Sequence, residues 1–273
     1  MIVTPTLRET LLNVVKTMPA SPYILAQLGH LLVELNSDLS VIAEMLKWDA
    51  SLTARIIRIS NSALYNTGEP YDSLEAALAR VGYTEVYRLA GFAAVTQLTD
   101  QRFQFYRITG AQMRENALLS ALLMEQFAKS ANIDSRMAYT AGLLRSTGKI
   151  ALERMTTEVL PDCGGLADWE KSVVGISNCE AAAIVLTEWR FPHGTVDGIR
   201  DHYLIEPGGS PLAHLLNVAA GTAERCGFGL PGESLYWELT PERLAKAQLE
   251  ERDLEAATAR ALEVFEAVRG AVG

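Results

Sequence analysis

The chain has 273 residues, of which 49% are hydrophobic, and a net charge of −9, so it has enough apolar material for one or two packed units. It has no basic island on either side of residue 105, which argues against bulk attraction to nucleic acid phosphates. Because it has no run of about 18 apolar residues and its first residues lack the features of a signal peptide, we expect no membrane contact and a cytoplasmic location.

The first hundred residues predict a bundle of short helices. Ser21-Pro22 combines a capping residue with proline at the first helical position, and an apolar stripe follows at 23–35. Two consecutive helices are predicted at 38–46 and 50–64. Gly82 interrupts a further apolar helical pattern, so we expect the chain to break there.

A polar, aromatic stretch at 99–107 divides the chain. We therefore expect an N-terminal helical lobe at 1–105 and a second lobe at 106–273. A long helix at 112–131 opens the second lobe, and a helix pair at 241–270 closes it. Because convincing strands with period-two alternation are missing, the sequence predicts an all-α, multi-helical fold.

The cysteines Cys163, Cys179 and Cys226 are too far apart for a zinc knuckle or a redox pair. Buried or idle thiols in a reducing compartment are the favoured interpretation. We expect no cofactor and no metal.

The segment at 138–152 reads AYTAGLLRSTGKIAL. It resembles the motif of the HD phosphohydrolase superfamily, a helix in which an adjacent His-Asp pair precedes Gly-Lys and binds a divalent metal that activates water. Arg145 and Ser146 stand in place of that pair. A guanidinium is a permanent cation without an acceptor, so Arg145 would repel a metal. For this segment alone, an ordinary buried apolar helix is an equally good interpretation.

Two further segments are similar to the HDOD domain family, and the resemblance extends over roughly residues 18–215. In the segment at 18–98, the matching residues are Pro19, Asp49, Leu52, Ile56, Ile57, Asn61, Ser62, Ser73, Ala76, Ala77 and Gly82. In the segment at 176–203, they are Glu180, Trp189, Pro192, Ile199 and His202.

The resemblance also locates the metal ligands of the catalytic relatives. Further ligand histidines would fall near Asn116 and Asn178, whereas His202 matches a ligand position and has Tyr203 beside it. The expected degenerate pocket consists of Asn116, Arg145, Ser146, Asn178 and His202. We expect these residues to hydrolyse nothing, with Arg145 free to bind an anion such as phosphate.

Asn61 and Ser62 near a helix end have two interpretations. Such residues commonly satisfy free backbone groups, and this structural use is favoured. The functional alternative is that Asn61 shapes a groove between the two lobes, in a family signature that also includes Trp189.

The resemblance implies a non-catalytic bacterial signal-transduction module, an output or scaffold domain of two-component systems and response regulators. Its expected partners are receiver, cyclic-dinucleotide or kinase domains, and homo-oligomers stay open; nucleic acids and membranes are not expected. A receiver domain would lie elsewhere in the protein or on a partner. The alternative is a metal-dependent phosphohydrolase, such as a cyclic-dinucleotide phosphodiesterase, with atypical ligands drawn from Asp201, His202 and other carboxylates. Because adjacent side chains on a helix face different sides, these two cannot easily share an ion.

Overall fold

The computed structural model describes residues 5–19, 23–27, 39–61, 68–162, 164–205 and 208–272. In these ranges the regular structure is helical, with an isolated antiparallel bridge between Phe103 and Ile108. The all-α prediction is therefore confirmed. The Ser21-Pro22 signal, Ser62 and Cys163 lie outside the described residues.

The α-helices are labelled in chain order. They are α1 (Pro5–Lys16), α2 (Leu39–Lys47), α3 (Ala50–Ser60), α4 (Leu74–Leu98), α5 (Gly110–Ser130), α6 (Ser135–Leu144), α7 (Thr147–Leu152), α8 (Leu166–Val173), α9 (Asn178–Glu188), α10 (His193–Asp201), α11 (Pro211–Ala223), α12 (Pro241–Lys246) and α13 (Glu251–Val272). A π-helical turn, Glu224–Phe228, and a 3-10 turn, Ser234–Tyr236, lie between α11 and α12.

Capping residues set several helix starts. The Asp49 side chain accepts a hydrogen bond from the Leu52 backbone and begins α3. Thr109 and Gln112 form a capping box, so α5 begins two residues before the predicted start at 112. At Gly82 the backbone has φ of 78° and kinks α4, which confirms the predicted break.

The chain forms two compact units. Unit 1 contains Met1–Met18 and Thr99–Glu263, and unit 2 contains Pro19–Leu98 and Val264–Gly273. The predicted lobes divide the chain at a single point, after residue 105. In the structure each unit combines two separate stretches, because residues 1–18 group with the second part of the chain and residues 264–273 group with the first part. Helix α1 belongs to unit 1 because it packs against α7 and α9.

Two glycines allow close helix packing in unit 1. A Cβ atom on Gly142 would lie 2.7 Å from the Ala121 backbone, where α6 packs on α5. A Cβ atom on Gly148 would lie 1.8 Å from the Asn178 carbonyl oxygen, where α7 packs on α9. These approaches bring the start of α7 next to the start of α9.

Unit 2 contains α2, α3 and α4, which pack on one another. Asn61, at the C-terminal end of α3, donates its amide to the Tyr71 carbonyl at 2.8 Å and accepts from the Tyr71 N–H at 2.6 Å. Asn61 therefore ties the chain beyond α3 back to that helix, the structural use that the sequence favours. In the described part of the chain, no helix has the length and apolar character needed to cross a membrane.

Candidate functional site

Arg145 lies at the centre of a buried polar network in unit 1. It caps the C-terminal end of α6, and its side chain is 1% exposed. Its Nη1 and Nη2 atoms donate to the two carboxylate oxygens of Glu233, at 3.1 and 2.9 Å. Nη2 also donates to the Asn116 carbonyl oxygen at 2.6 Å, and the Asn116 amide donates to the Phe228 carbonyl. The guanidinium is thus held in a fixed orientation.

Lys149, in the first turn of α7, is a second cation that contacts the Glu233 carboxylate. Its ammonium donates to Glu233 Oε1 and, at 3.1 Å, to the Tyr203 hydroxyl. Tyr203 donates in turn to Glu233 Oε1 at 2.9 Å. The Lys149 and Glu233 side chains are 0% exposed, so a single carboxylate pairs with two desolvated cations.

Glu170 on α8 ends the network on the other side. Asn178, the first residue of α9, donates its side-chain amide to Glu170 at 3.0 Å and to Tyr203 at 3.1 Å. The Asn178 backbone N–H donates to Glu170 at 2.7 Å, and the Tyr106 hydroxyl donates at 2.8 Å. Glu170 therefore occupies the start of α9, where unpaired N–H groups favour an anion.

The network contains two cationic side chains and two carboxyl groups. Burial alone would raise the pKa of Glu233, but Arg145 and Lys149 hold it well below its usual range. Burial alone would lower the pKa of Arg145, and Glu233 more than reverses this effect. Burial raises the pKa of Glu170, while Lys149 and three donors favour its ionised form. Two cations are thus matched by two carboxyl groups.

His202 is buried beside the network as a neutral imidazole. It caps the C-terminal end of α10, and its Nδ1 atom donates to the Ile199 carbonyl at 2.6 Å. Burial, together with the nearby cations, lowers the pKa of His202 to about 3. Its Nε2 atom has no hydrogen-bond partner among the described residues. Cys179 approaches the ring at 3.6 Å, and burial raises the pKa of this thiol well above its usual value.

The five residues predicted for the degenerate pocket are all buried in unit 1. Three of them, Asn116, Arg145 and Asn178, are hydrogen-bonded members of the network, and His202 joins it through ring contact with Tyr203. Ser146 starts α7, and its hydroxyl has no partner among the described residues. Trp189 is buried at the C-terminal cap of α9.

The residues present do not fit a metal ion. In the described parts of the chain, no three His, Cys, Asp or Glu side chains are grouped so that they could hold one. Arg145 puts a positive charge where the motif would bind its metal. Asp201, a ligand in the phosphohydrolase alternative, pairs with Arg200 at 2.7 Å on the surface. The anion bound to Arg145 is the chain's own Glu233.

Several residues of the network were missed by the sequence reasoning. Lys149, Glu170, Glu233 and Tyr106 are not among the residues predicted for the pocket. A lone lysine inside the apolar stretch Gly148–Leu152 is a usable signal, since buried lysines are rare unless paired. Glu233 follows the turn sequence LPG and carries no comparable signal.

A cleft of about 430 Å³ lies beside the network. Cys179 and Tyr203 contribute to its wall, together with the charged residues Lys171, Glu180, Arg200 and Asp201. Among the described residues that line this cleft, Arg145, Lys149 and Glu233 do not occur. The ion pairs are therefore closed off from this cleft.

Comparison with known proteins identifies a family and a fold. The HDOD domain model matches residues 18–205. An HDOD domain protein of unknown function from Geobacter sulfurreducens has a similar structure, with TM-score 0.69, 20% identity and 97% of both chains covered. A candidate phosphohydrolase from Shewanella amazonensis matches with TM-score 0.65 and 20% identity, over 97% of this chain and 98% of its own.

A candidate signal transduction protein from Marinobacter aquaeolei also matches, with TM-score 0.69 and 17% identity, over 97% of this chain and 64% of its own. Among curated protein sequences, none matches this chain. At these identities the solved structures establish the fold alone.

Proposed function

Because the chain belongs to the HDOD domain family, we propose that it is a non-catalytic signal-transduction module that passes on a regulatory input through contacts with other proteins. The observation that carries the proposal is the pairing of Arg145 and Lys149 with Glu233. Of these residues, Arg145 stands in place of the metal-binding pair of the motif, whereas Lys149 matches a lysine that the motif keeps.

The chemistry of phosphoester hydrolysis supports the same proposal. A metal-dependent hydrolase needs imidazole or carboxylate ligands and a position open to water. Here the Arg145 cation stands in place of the metal-binding pair and would repel a divalent ion. His202 offers a single imidazole nitrogen, Nε2, and has no second His, Cys, Asp or Glu ligand pair grouped with it among the described residues. The Glu233 carboxylate is already committed to four donors.

The partners belong to the proposal. Receiver, cyclic-dinucleotide and kinase domains of a two-component system, or a second copy of this chain, would supply or receive the signal, with the protein acting in the cytoplasm. The name of the Marinobacter aquaeolei neighbour, a candidate signal transduction protein, is consistent with this role. A direct test is co-elution of the purified chain with such domains encoded beside it.

The alternative is a metal-dependent phosphohydrolase or cyclic-dinucleotide phosphodiesterase with an atypical ligand set. It is favoured by one observation, the fold shared with the candidate phosphohydrolase from Shewanella amazonensis. That likeness does not supply a ligand set, since His202 is the one imidazole kept at the matched ligand positions, and the others hold Arg145, Ser146, Asn116 and Asn178.

Elemental analysis of protein purified without chelator, paired with a cyclic-dinucleotide phosphodiesterase assay in added manganese and iron, distinguishes the two functions. We expect no stoichiometric metal and no turnover, with an active phosphodiesterase as positive control. Stoichiometric metal together with turnover would overturn the proposal and establish the alternative.

A further inference from the structure

Two buried cations of unit 1 converge on one carboxylate from a distant part of the chain. Arg145 and Lys149 lie at the junction of α6 and α7, and Glu233 lies on the segment between the π-helical turn and α12. The Arg145 side chain is 1% exposed, and those of Lys149 and Glu233 are 0% exposed. Desolvated cations of this kind require an anion in contact.

The donors are arranged for a carboxylate. The Arg145 fork addresses both oxygens, at 3.1 and 2.9 Å, which is the bidentate geometry that a guanidinium forms with a planar carboxylate. Lys149 and Tyr203 add two more donors to Oε1. Asn116 accepts a hydrogen bond from Arg145, and Asn178 donates one to Tyr203, so each asparagine orients one of the donors. In the described hydrogen bonds, neither asparagine contacts the Glu233 carboxylate.

The segment that carries Glu233 has other attachments to unit 1. The Tyr236 hydroxyl accepts from the Ala167 backbone at 2.9 Å, and the Tyr236 carbonyl accepts from the Asn217 amide at 3.0 Å. Tyr236 also stacks on Tyr203, with ring centroids 4.1 Å apart. Removal of the carboxylate therefore leaves the backbone around it held in place and the two buried cations without an anion in contact.

We propose that Arg145, Lys149 and Tyr203 form a carboxylate-binding site, that Glu233 is its tethered ligand, and that a free small carboxylate binds there when Glu233 is truncated. This inference goes beyond the proposed signalling function and does not depend on it. Under this proposal, the degenerate site binds an organic anion, whereas the motif of the phosphohydrolases binds a metal and a phosphate ester.

The test uses the variant Glu233→Ala in the full chain at neutral pH. This change removes one methylene and the carboxylate, the heavy atoms of acetate, so acetate is the matched probe. We expect the Tm of the variant to rise by about 3–6 °C as acetate is added, with the logarithmic dependence on acetate concentration that binding to the folded state produces. Acetamide, which has the same shape without the charge, and sodium chloride at equal ionic strength are expected to produce no comparable rise in Tm. Equal responses to acetate, acetamide and chloride would overturn the proposal.

Two variants test whether the effect belongs to this site. Glu233→Gln keeps the space filled with a neutral group, and Glu242→Ala removes an exposed carboxylate that pairs with Lys246 at 2.8 Å. Neither should gain an acetate response, and a response in either that matches Glu233→Ala would overturn the proposal.

If Glu233→Ala is unfolded in plain buffer, the same titration is run as refolding from urea. Folded protein in acetate but not in acetamide supports the site. No recovery at any acetate concentration contradicts it.

Discussion

Lys149 is a fully buried ammonium whose charge is balanced through Glu233. Removing one partner of a buried ion pair is costly because the remaining charge stays desolvated. Lys149→Met keeps most of the side-chain volume but leaves Glu233 with Arg145 as its cationic partner. We expect the free energy of unfolding to fall by about 3 kcal/mol, measured by urea denaturation at neutral pH.

An exposed ion pair provides the matched control for Lys149. Lys246 pairs with Glu242 at 2.8 Å, and its side chain is 53% exposed. Because water screens such a pair, Lys246→Met should change the free energy of unfolding by no more than about 0.5 kcal/mol. Equal losses in the two variants would mean that the charge of Lys149 is not needed in the fold.

His202 makes stability depend on pH in a defined direction. Its pKa is about 3 in the folded chain, against about 6.5 in the unfolded chain, because of burial and because Arg145 and Lys149 outweigh the opposite effect of Glu233. The unfolded chain therefore binds more protons between these values, and stability falls as pH falls below about 6.5. His202 should cost the wild type about 2 kcal/mol between pH 8 and pH 5.

The His202 contribution is isolated by a difference between two proteins. His202→Gln should lose that part of the pH dependence, which urea denaturation at several pH values would measure. Other titrating groups, Glu170 among them, cancel when the two profiles are subtracted. Parallel profiles for wild type and His202→Gln would contradict the buried neutral imidazole.

At the scale of single residues, the sequence pointed to Arg145 and two asparagines of the network, but not to Glu233, the carboxylate that pairs with Arg145. Comparison with a metal-binding motif directed attention to Asn116, Arg145 and Asn178, and the structure brings these three into one network. Glu233, which pairs with Arg145, is 88 residues farther along the chain. The sequence around Arg145 does not indicate this partner, because an ion pair between residues far apart in the chain depends on how the helices pack and not on residue spacing.

At the scale of helices, the contact of α7 with α9 depends on the missing side chain of Gly148. An added Cβ would lie 1.8 Å from the Asn178 carbonyl oxygen, which is backbone and cannot rotate away. Gly148→Ala should therefore push α9 outward, disturb the Asn178 bonds to Glu170 and Tyr203, and lower the free energy of unfolding by at least about 1–3 kcal/mol. Thermal and urea denaturation would measure the loss.

Gly194 on α10 is the matched control for Gly148. Its added Cβ would meet Met137 at 3.8 Å, an ordinary contact. Because alanine favours helix more than glycine does, Gly194→Ala should leave stability unchanged or raise it by up to about 1 kcal/mol. A similar loss in both variants would show that the close approach of α7 and α9 is not the cause.

Helices with capping signals were predictable, and irregular turns were not. The helix pair predicted at 241–270 is present as α12 and α13. The motif segment at 138–152, whose counterpart is a helix in the HD superfamily, instead divides into α6 and α7 at Arg145 and Ser146. The turns at 224–236 have no apolar period to follow, so the segment that delivers Glu233 could not be predicted.

At the scale of the whole chain, composition and periodicity gave the all-α class, whereas the family came from matched residues in the right order. The division into units needed the structure. Helix α1 joins unit 1 through packing on α7 and α9, a contact between residues far apart in sequence. The order of helices along the chain does not indicate which unit the first and last helical segments join, because each helix could bury its apolar face against several others.

The pairing of Arg145 and Lys149 with Glu233 determines how the chain should respond to metal removal. Structural metals stabilise the folded state because their ligands lose favourable contacts without the ion. Here the Arg145 and Lys149 cations are covalently part of the chain and already paired. Chelation by EDTA should therefore change the Tm by less than about 1 °C, and added manganese or iron(II) should raise it no more than sodium chloride of equal ionic strength.

Differential scanning calorimetry with and without EDTA makes this measurement. A fall in Tm on chelation that manganese or iron(II) reverses would mean that the folded chain binds a metal through residues other than the buried network. A Tm insensitive to both would mean that no metal contributes to the stability of the folded chain, because a metal bound to the folded state stabilises it by an amount that grows with the logarithm of the metal concentration above its Kd.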